Sequence, residues 1–416
     1  MPWTHMCQIS GHPMQADFDC SGADLRARLA VVGDYDGDGN DEIFVVPIPV
    51  VNVTSGGTPP PSALGVGWVM KYVAATNSFQ HLSRIPGNGF DADVIFTGGD
   101  IQSAVAADFD GPGISQRKQP QLLASFSIIT PIKNWFGFTI GYVGSFLYEV
   151  KTYNNTAKNW SAGGKILQTS HDWPSFVMQH RPLVAVGEYL GNRRDQLVTK
   201  HVALGTLGND FNILQFMGPG PVKPTGGGWQ TGLFNFDCSS SSYAARFAVA
   251  GDFDGDGNDE VAVAPEAPGS MGNDFWVMKF DGSTIWRHMG LTSTGFWADF
   301  DCSTDGDVAR FAVTGDFDGD GRDEIAVARE ASGALGNEFW VMKWNAGTRK
   351  WDHLGAVTSG LSSDFGCSAL QIPAKFAVVG DYDGDGMDEI AVAPEAAGTS
   401  GNDFWVMKWN TNRAAW

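Results

Sequence analysis

The chain has 416 residues, a formal net charge of −20 at pH 7 and 53 glycines. Nucleic acids and anionic membranes are not expected partners, because they carry the same sign of charge. No apolar run approaches the length of a membrane span, so we expect no transmembrane segment. The many glycines and the lack of long amphipathic helical patterns favour a β-protein with many tight turns.

One segment, residues 251–260, recurs along the chain. It reads Gly-Asp-Phe-Asp-Gly-Asp-Gly-Asn-Asp-Glu, and short apolar runs on both sides predict a strand, a tight loop and a second strand. We call this segment the acid loop and count its positions from Asp252. Carboxylate oxygens at positions one, three, five and nine suit calcium. Four copies predict four calcium sites, with the ligands Asp34, Asp36, Asp38 and Glu42; Asp252, Asp254, Asp256 and Glu260; Asp316, Asp318, Asp320 and Glu324; and Asp381, Asp383, Asp385 and Glu389.

The acid loop lies within a longer repeat of about 65 residues. Each repeat reads as four strands: one before the loop, one after it, a third such as residues 274–279, and a fourth near an aromatic-x-His sequence. Four antiparallel strands per repeat are the unit of a β-propeller blade. Corresponding positions at Gly33, Ala107, Gly187, Gly251, Gly315 and Gly380 indicate six repeats.

The two ends of the chain complement each other. The sixth repeat stops after its third strand, and residues 3–6 match the missing fourth strand. We therefore predict an all-β, six-bladed propeller with four antiparallel strands per blade, closed where the N-terminal strand completes the C-terminal blade. In this single domain the blades are expected at about residues 24–84, 100–170, 181–232, 245–292, 309–357, and 374–416 with 1–10.

The repeat Phe-Ala-Val-x-Gly-Asp-x-Asp-Gly-Asp-Gly-x-Asp-Glu resembles the FG-GAP or VCBS repeat, the unit of the integrin α-subunit propeller and of many bacterial and fungal secreted proteins. The resemblance covers the whole chain and implies a propeller with structural calcium. It also implies a secreted or extracytoplasmic location, although no signal peptide is visible. Repeat 2 degrades its loop at residues 108–113 and repeat 3 has lost the acids, so neither is expected to bind calcium.

Several repeated residues are predicted to be structural. Five cysteines do not make a disulfide scaffold. Cys7 could pair with Cys20, but a repeated position indicates buried packing for Cys20, Cys238, Cys302 and Cys367. The aromatic-x-His position indicates structural roles for His5, His81, His288 and His353. The third-strand tryptophans are expected between blades rather than as sugar platforms; they are Trp276, Trp340 and Trp405.

Ligands are expected at the rim, the end of each blade opposite the acid loop. The rim comprises the residues near the start of each first strand and just after each second strand. Cations at the first position and glutamates at the second predict ion pairs within single blades: Arg246 with Glu266, Arg310 with Glu330, and Lys375 with Glu395. Ile48 and Val202 replace the acid in repeats 1 and 3. The half of the rim formed by repeats 1 to 3 should therefore be apolar, with Arg28 and Arg181 as spare cations.

Long insertions lie on the same apolar half of the rim, at residues 128–138 and in the link 171–180. An apolar concave patch with a few polar groups is the usual form of a ligand site. The alternative is that these loops only pack on one another. The expected ligand-binding residues are Trp135, Phe136, Trp173, Phe176, Arg181 and Arg246, and the candidates for catalysis are His201, Lys133 and Arg28.

The sequence carries no nucleophile motif, zinc spacing, phosphate loop or nucleotide fingerprint, so we expect no organic cofactor. The first hypothesis is a monomeric enzyme that binds an apolar small molecule and catalyses a cyclisation or cycloaddition by positioning, as hetero-Diels–Alderases do. Lys133, Arg28 or His201 would then hydrogen-bond a carbonyl as charge develops.

Two other functions remain open. A calcium-dependent lectin or adhesion module would repeat its carbohydrate sites between blades 4 to 6, with Trp297 as a stacking residue. A polysaccharide lyase or hydrolase would use His201 beside Arg181. Symmetry separates the first two classes, because repeated binding requires repeated sites. Sequons at Asn52, Asn154 and Asn159 matter only if the chain is secreted.

Overall fold

The structure is a computed structural model, and it describes a set of separate ranges along the chain. These are residues 3–7, 9, 16–20, 26–48, 66–83, 94–95, 101–107, 121–133, 139–154, 157, 159–168, 183–190, 196–200, 210–216, 229–231, 236–238, 243–267, 272–282, 285–290, 298–302, 307–331, 336–355, 363–367, 372–396 and 403–410. No helix in these ranges has the length and apolar character needed to cross a membrane.

The described ranges contain 29 β-strands in six sheets. Two strands come first, β1 (Trp3–His5) and β2 (Phe18–Asp19). Sheet 1 consists of β3 (Arg26–Gly33), β4 (Glu42–Ile48), β5 (Val66–Val73) and β6 (Ser78–His81), with β7 (Val94–Ile95) on β5. Sheet 2 consists of β8 (Ile101–Ala107), β9 (Gln121–Lys133), β10 (Thr139–Asn154) and β11 (Asn159–Gln168). Sheet 3 consists of β12 (Leu183–Gly187), β13 (Gln196–Lys200), β14 (Asp210–Phe216) and β15 (Trp229–Thr231), with β16 (Phe236–Asp237) on β14.

The remaining three sheets share one pattern. Sheet 4 consists of β17 (Ala245–Gly251), β18 (Glu260–Pro265), β19 (Asp274–Phe280) and β20 (Trp286–His288), with β21 (Phe300–Asp301) on β19. Sheet 5 consists of β22 (Ala309–Gly315), β23 (Glu324–Arg329), β24 (Glu338–Asn345) and β25 (Lys350–His353), with β26 (Phe365–Gly366) on β24. Sheet 6 consists of β27 (Ala374–Gly380), β28 (Glu389–Pro394) and β29 (Asp403–Trp409).

Each sheet is an antiparallel meander, and the chain ends meet in sheet 6. There β1 pairs with β29, with Trp3 opposite Trp409, and β2 pairs with the start of β29. The first strand of each sheet contacts the first strand of the next sheet, and β27 contacts β3. Four-stranded antiparallel sheets packed side by side in this way are β-propeller architecture.

The hydrophobic core lies between neighbouring sheets. Second strands such as β18 are buried along their whole length, because each sheet is covered on both faces. Third-strand tryptophans fill these layers: Trp68, Trp276, Trp340 and Trp405 are at most 1% exposed. The expectation that the repeated tryptophans are core residues is therefore confirmed. The short strands β2, β16, β21 and β26 each add a stacked phenylalanine pair, as in Phe275 with Phe300, whose ring centroids are 4.8 Å apart.

The repeated cysteines and histidines are structural as predicted. Cys20, Cys238, Cys302 and Cys367 are buried free thiols. Cys7 is also a buried free thiol, so the possible Cys7–Cys20 disulfide is not formed. Three of the four motif histidines pair their Nδ1 with an aspartate Oδ2: His5 with Asp17 at 2.8 Å, His288 with Asp299 at 2.8 Å and His353 with Asp364 at 2.9 Å.

A reciprocal pair of hydrogen bonds joins neighbouring acid loops. The position-eight aspartate of one loop accepts from the position-one N–H of the loop before it, and its own N–H donates to that residue's carbonyl. Asp323 thus accepts from Asp252 N at 2.9 Å and donates to Asp252 O at 3.0 Å. We call this arrangement the aspartate latch; the same bonds link Asp259 to Glu188, Asp388 to Asp316, and Asp41 to Asp381.

The aspartate latch explains the glycine before each loop. A Cβ built on Gly251 would lie 2.6 Å from Asp323 Oδ2, and one on Gly380 would lie 2.7 Å from Asp41 Oδ2. Real Cβ atoms do not approach oxygen so closely, so only glycine lets the next loop dock. The latch from Asp41 to Asp381 couples the first repeat to the last.

Asp323→Ala should test the aspartate latch. The change leaves the Asp252 N–H without its acceptor, so we expect the free energy of unfolding to fall by about 1–3 kcal/mol in urea titrations. Asp323→Asn keeps an acceptor oxygen and should lose much less. Equal losses for the two variants would contradict the role of this hydrogen bond.

Candidate functional site

The acid loops are built by their glycines and by the position-one aspartate. In sheet 4, Gly255 and Gly257 have φ of +76° and +86°, a conformation that other residues rarely adopt. Asp252 Oδ1 accepts from the N–H groups of Gly255 and Asp256 at 2.8 and 3.0 Å, and Oδ2 accepts from Gly257 at 2.8 Å. The position-one carboxylate thus holds the turn in shape, and positions three, five and nine face one another.

A lysine from the third strand lies among these three carboxylates. In sheet 4, Lys279 Nζ is 2.6 Å from Asp254 Oδ2, 2.7 Å from Asp256 Oδ2 and 2.9 Å from Glu260 Oε1. The equivalent lysines make the same three contacts at 2.5–3.0 Å; they are Lys71, Lys343 and Lys408. We call these four residues the loop lysines. Each one ties the acid loop to the third strand of its sheet.

The position-nine glutamate is the most buried member of the cluster. Glu260 is fully buried, and its Oε2 accepts from Phe253 N at 3.0 Å. Burial raises the pKa of this carboxyl to about 8, although the hydrogen bond and charge of Lys279 act in the opposite direction. Since burial penalises the charged form, the glutamate depends on a cation beside it. Burial likewise raises the pKa of the equivalent glutamates to about 8; they are Glu42, Glu324 and Glu389.

Sheet 3 shows which residues change together when the acids are lost. Gln196 replaces the position-nine glutamate, is fully buried, and accepts from Tyr189 N at 2.8 Å through Oε1. Gln215 replaces the loop lysine and lies opposite Gln196 in the strand register, as Lys71 lies opposite Glu42. The lysine and the acids are therefore parts of one charged unit.

Four groups of carboxylates among the described residues are arranged so that they could hold a metal ion. Within each group the oxygen atoms lie within 4.8 Å of one another; the groups are Asp34, Asp36, Asp38 and Glu42; Asp252, Asp254 and Glu260; Asp316, Asp318 and Asp320; and Asp381, Asp383 and Asp385. Asp318 Oδ1 is buried and accepts no hydrogen bond, which leaves an oxygen suited to a cation. The donor set fits a hard divalent ion.

Two residues of the acid loop system were not predicted from the sequence: the position-eight aspartate, which forms the latch, and the loop lysine. Both carry a signal in the sequence. The aspartate recurs beside every position-nine glutamate of the four intact loops, and the lysine is a charged residue that recurs in an otherwise apolar third strand.

At the rim the ion pairs cross from one sheet to the next. Arg246 Nη1 of sheet 4 lies 2.6 Å from Glu330 Oε2 of sheet 5, and Arg310 Nη2 of sheet 5 lies 2.5 Å from Glu395 Oε2 of sheet 6. The predicted pairs within single blades, Arg246 with Glu266, Arg310 with Glu330 and Lys375 with Glu395, are therefore wrong. The first strands are the strands that adjoin across a junction, so each cation reaches the neighbouring sheet.

At the junction between sheets 6 and 1, the rim cation has a different partner. Lys375 Nζ donates to the carbonyl of Ala27 in sheet 1 at 2.6 Å. The acid offered to Arg246 and Arg310 by the next sheet is replaced here by Ile48, as the sequence predicted. Burial lowers the pKa of Lys375, and the positive charges of Arg26 and Arg28 lower it further, against the opposite effect of Glu395.

Most of the predicted ligand and catalytic residues lie outside the described ranges: Trp135, Phe136, Trp173, Phe176, Arg181 and His201. Lys133 is the last residue of β9, and only its backbone is described. Arg28 lies in β3, half-buried. Arg246 is engaged by Glu330 and by the carbonyl of Ala309 at 3.0 Å. The predicted ligand site over repeats 1 to 3 therefore stays a prediction.

No family model and no curated protein matches the chain. Among solved structures the chain is similar to one described as "Structure of Dos1 propeller", with 9% sequence identity, a TM-score of 0.34 and coverage of 94% of each chain. A likeness at this TM-score supports no functional argument. The fold assignment therefore rests on the strand pairing and the contacts between sheets.

One carboxylate at the start of a third strand should make the stability of the protein depend on pH. Asp274 lies opposite Asp301 in the register of β19 and β21. Burial, together with the charge of Asp301, raises the pKa of Asp274 from its ordinary 3.8 to about 7. An acid whose pKa is raised by folding favours the native state at low pH, and this contribution is lost as pH rises through about 7.

Asp274→Asn should therefore stabilise the protein at pH 8 by about 0.2–1 kcal/mol, because like charges no longer face each other. The gain should shrink as the pH is lowered to about 5, since the wild-type carboxyl is then largely protonated. Urea titrations at both pH values measure the difference. Glu338→Gln is the matched control: Glu338 faces Gly366 and pairs with Arg329 at 2.8 Å, so this change should destabilise. A gain for Asp274→Asn that is independent of pH would contradict the assignment.

Proposed function

We propose that the chain is a six-bladed, calcium-stabilised propeller with a single small-molecule site on the rim over repeats 1 to 3. Three observations support the closed ring of six blades. First strands contact one another in sequence, and β27 contacts β3. The latch between Asp41 and Asp381 and the pairing of β1 with β29 both join the two ends of the chain.

The calcium ions would be held by the carboxylates of positions one, three, five and nine, and position one would also support the turn. A bound calcium ion supplies positive charge that allows several buried carboxylates to lie together. This role is structural, because the acid loops lie at the end of the sheets opposite the rim. The loop lysines already supply one positive charge at the same place, so metal and ammonium would compete. The millimolar calcium outside cells suits such sites, in keeping with the proposed extracytoplasmic location.

Lys279→Met tests the calcium proposal. In EDTA, the variant leaves three carboxylates without their counter-ion, so the free energy of unfolding should fall by about 1.5–3 kcal/mol. Calcium should restore it and, by calorimetric titration, should bind the variant more tightly than wild type, since no ammonium is displaced. Lys350→Met, on the exposed end of β25, should change neither quantity. If calcium affects neither protein, the loops are neutralised by lysine alone and the calcium proposal fails.

The asymmetry of the rim is the observation that carries the single-site proposal. Ion pairs close the junctions between sheets 4 and 5 and between sheets 5 and 6. The repeated tryptophans of those sheets are buried, so they offer no platform for sugars. A lectin with repeated sites needs exposed binding groups at these junctions, and among the described residues none of the three tryptophans provides one. The remaining half of the rim carries the long insertions.

The reaction class that best suits such a site is cyclisation or cycloaddition by positioning. Holding two reacting groups in an attack geometry lowers a barrier without a nucleophile or a metal. Arg28, Lys133 and His201 are the polar groups that would hydrogen-bond a carbonyl as charge develops. Trp135, Phe136, Trp173 and Phe176 would supply the apolar walls. A lyase or hydrolase would use His201 and Arg181, and both lie outside the described ranges.

Native mass spectrometry of the isolated protein tests the single-site proposal, after incubation with apolar carbonyl compounds or with oligosaccharides. We expect one apolar molecule per chain, with binding lost in Trp135→Ala or Trp173→Ala because an apolar wall is removed. Trp297→Ala, at the site that a lectin would use, should retain full binding. Several oligosaccharides per chain, lost in Trp297→Ala, would overturn the proposal in favour of a lectin.

A further inference from the structure

At the rim, a cation of one sheet binds a glutamate carboxylate of the next sheet at the junctions between sheets 4 and 5 and between sheets 5 and 6. Arg246 makes two contacts on sheet 5: Nη1 lies 3.0 Å from the Ala309 carbonyl and 2.6 Å from Glu330 Oε2. One contact is to the first strand, and the other is to the residue that follows the second strand. Arg310 makes the carboxylate contact with Glu395 in the same way, at 2.5 Å.

The junction between sheets 6 and 1 keeps the first contact and changes the second. Lys375 Nζ donates to the Ala27 carbonyl at 2.6 Å, and Ala27 corresponds to Ala309. In the strand register Ala27 lies opposite Pro47, as Ala309 lies opposite Arg329. The next residue is Ile48 in sheet 1 and Glu330 in sheet 5. The place of the carboxylate at this junction is therefore taken by an apolar residue.

A second substitution adds positive charge at the same point. Arg26 of sheet 1 stands where sheets 4 to 6 have the uncharged residues Ala244, Val308 and Pro373. Both neighbours of Ala27, Arg26 and Arg28, are cationic, so the carbonyl that Lys375 contacts is flanked by arginines. Arg310 holds Glu395, the corresponding acid of sheet 6, at 2.5 Å. Positive charge is thus concentrated beside an apolar residue, at the edge of the half of the rim where we propose the ligand site.

We propose that this junction is an anion subsite, and that a carboxylate on an otherwise apolar small molecule takes the place that Glu330 and Glu395 occupy at the other junctions. Lys375 would contact the carboxylate, with Arg26 and Arg28 adding positive charge around it. The inference deepens the proposed function, because it gives the single rim site the ligand class of apolar carboxylic acids.

Two fluorescent probes of one shape test the charge requirement, 9-anthracenecarboxylate and the neutral 9-anthracenemethanol. We expect wild type to bind one carboxylate probe per chain, about tenfold more tightly than the alcohol, since a charged hydrogen bond is added. Lys375→Met should remove that preference and leave the affinity for the alcohol unchanged. Ile48→Glu should do the same by restoring the protein's own carboxylate beside Lys375. Lys350→Met, at the exposed end of β25, should keep the full preference.

Equal binding of the two probes by wild type, no binding of the carboxylate probe, or an equal loss in Lys350→Met and Lys375→Met would overturn the anion subsite. Binding of the alcohol at one molecule per chain without a preference for the carboxylate would leave the single-site function standing while the subsite fails. A failure of the single-site function itself would be detected separately. Several oligosaccharides would then bind per chain, and Trp297→Ala would abolish that binding. The thermal midpoint of Ile48→Glu confirms that the variant is folded, and an increase supports the new ion pair.

Discussion

The crowding of carboxylates in each acid loop is the constraint on which the rest of the structure depends. Three carboxylates converge and one of them is fully buried, so the loop needs a cation among them to be fully stable. The loop lysine meets this need within the chain and links the loop to the third strand. Sheet 3 has lost acids and lysine together, with Gln196 and Gln215 in their places. We infer that the charged unit is kept or lost as a whole.

The same loops also organise the contacts between sheets. A latch from the position-eight aspartate ties four junctions at the loop end, and the cation–glutamate pairs tie two junctions at the rim. Junctions held at both ends have little freedom to open for a ligand. At the rim between sheets 6 and 1, Lys375 donates to the Ala27 carbonyl, and Ile48 stands at the position of the acid. The proposed ligand site adjoins this junction.

Repeated positions made much of the fold predictable. Periodicity and the matching chain ends predicted strands, loops, buried cysteines and tryptophans, and the role of the aromatic-x-His histidines. The ion-pair partners were predicted wrongly, because a repeat aligns Arg246 with Glu266 but gives no distance to Glu330 in the next sheet. The loop lysine was overlooked for a similar reason: strand periodicity identifies a face, whereas its contact with Asp254 depends on the path of the loop. The ligand site rests on insertions without a repeat, where sequence patterns carry little geometric information.

The measurement that tests the account most directly is an anomalous-diffraction map of crystals grown in calcium chloride. We expect one metal peak in the acid loop of sheets 1, 4, 5 and 6, bound by the carboxylates of positions one, three, five and nine. Lys71, Lys279, Lys343 and Lys408 would then have moved out of the loops. Loops that keep the lysine and show no metal peak would contradict the proposal that calcium replaces it.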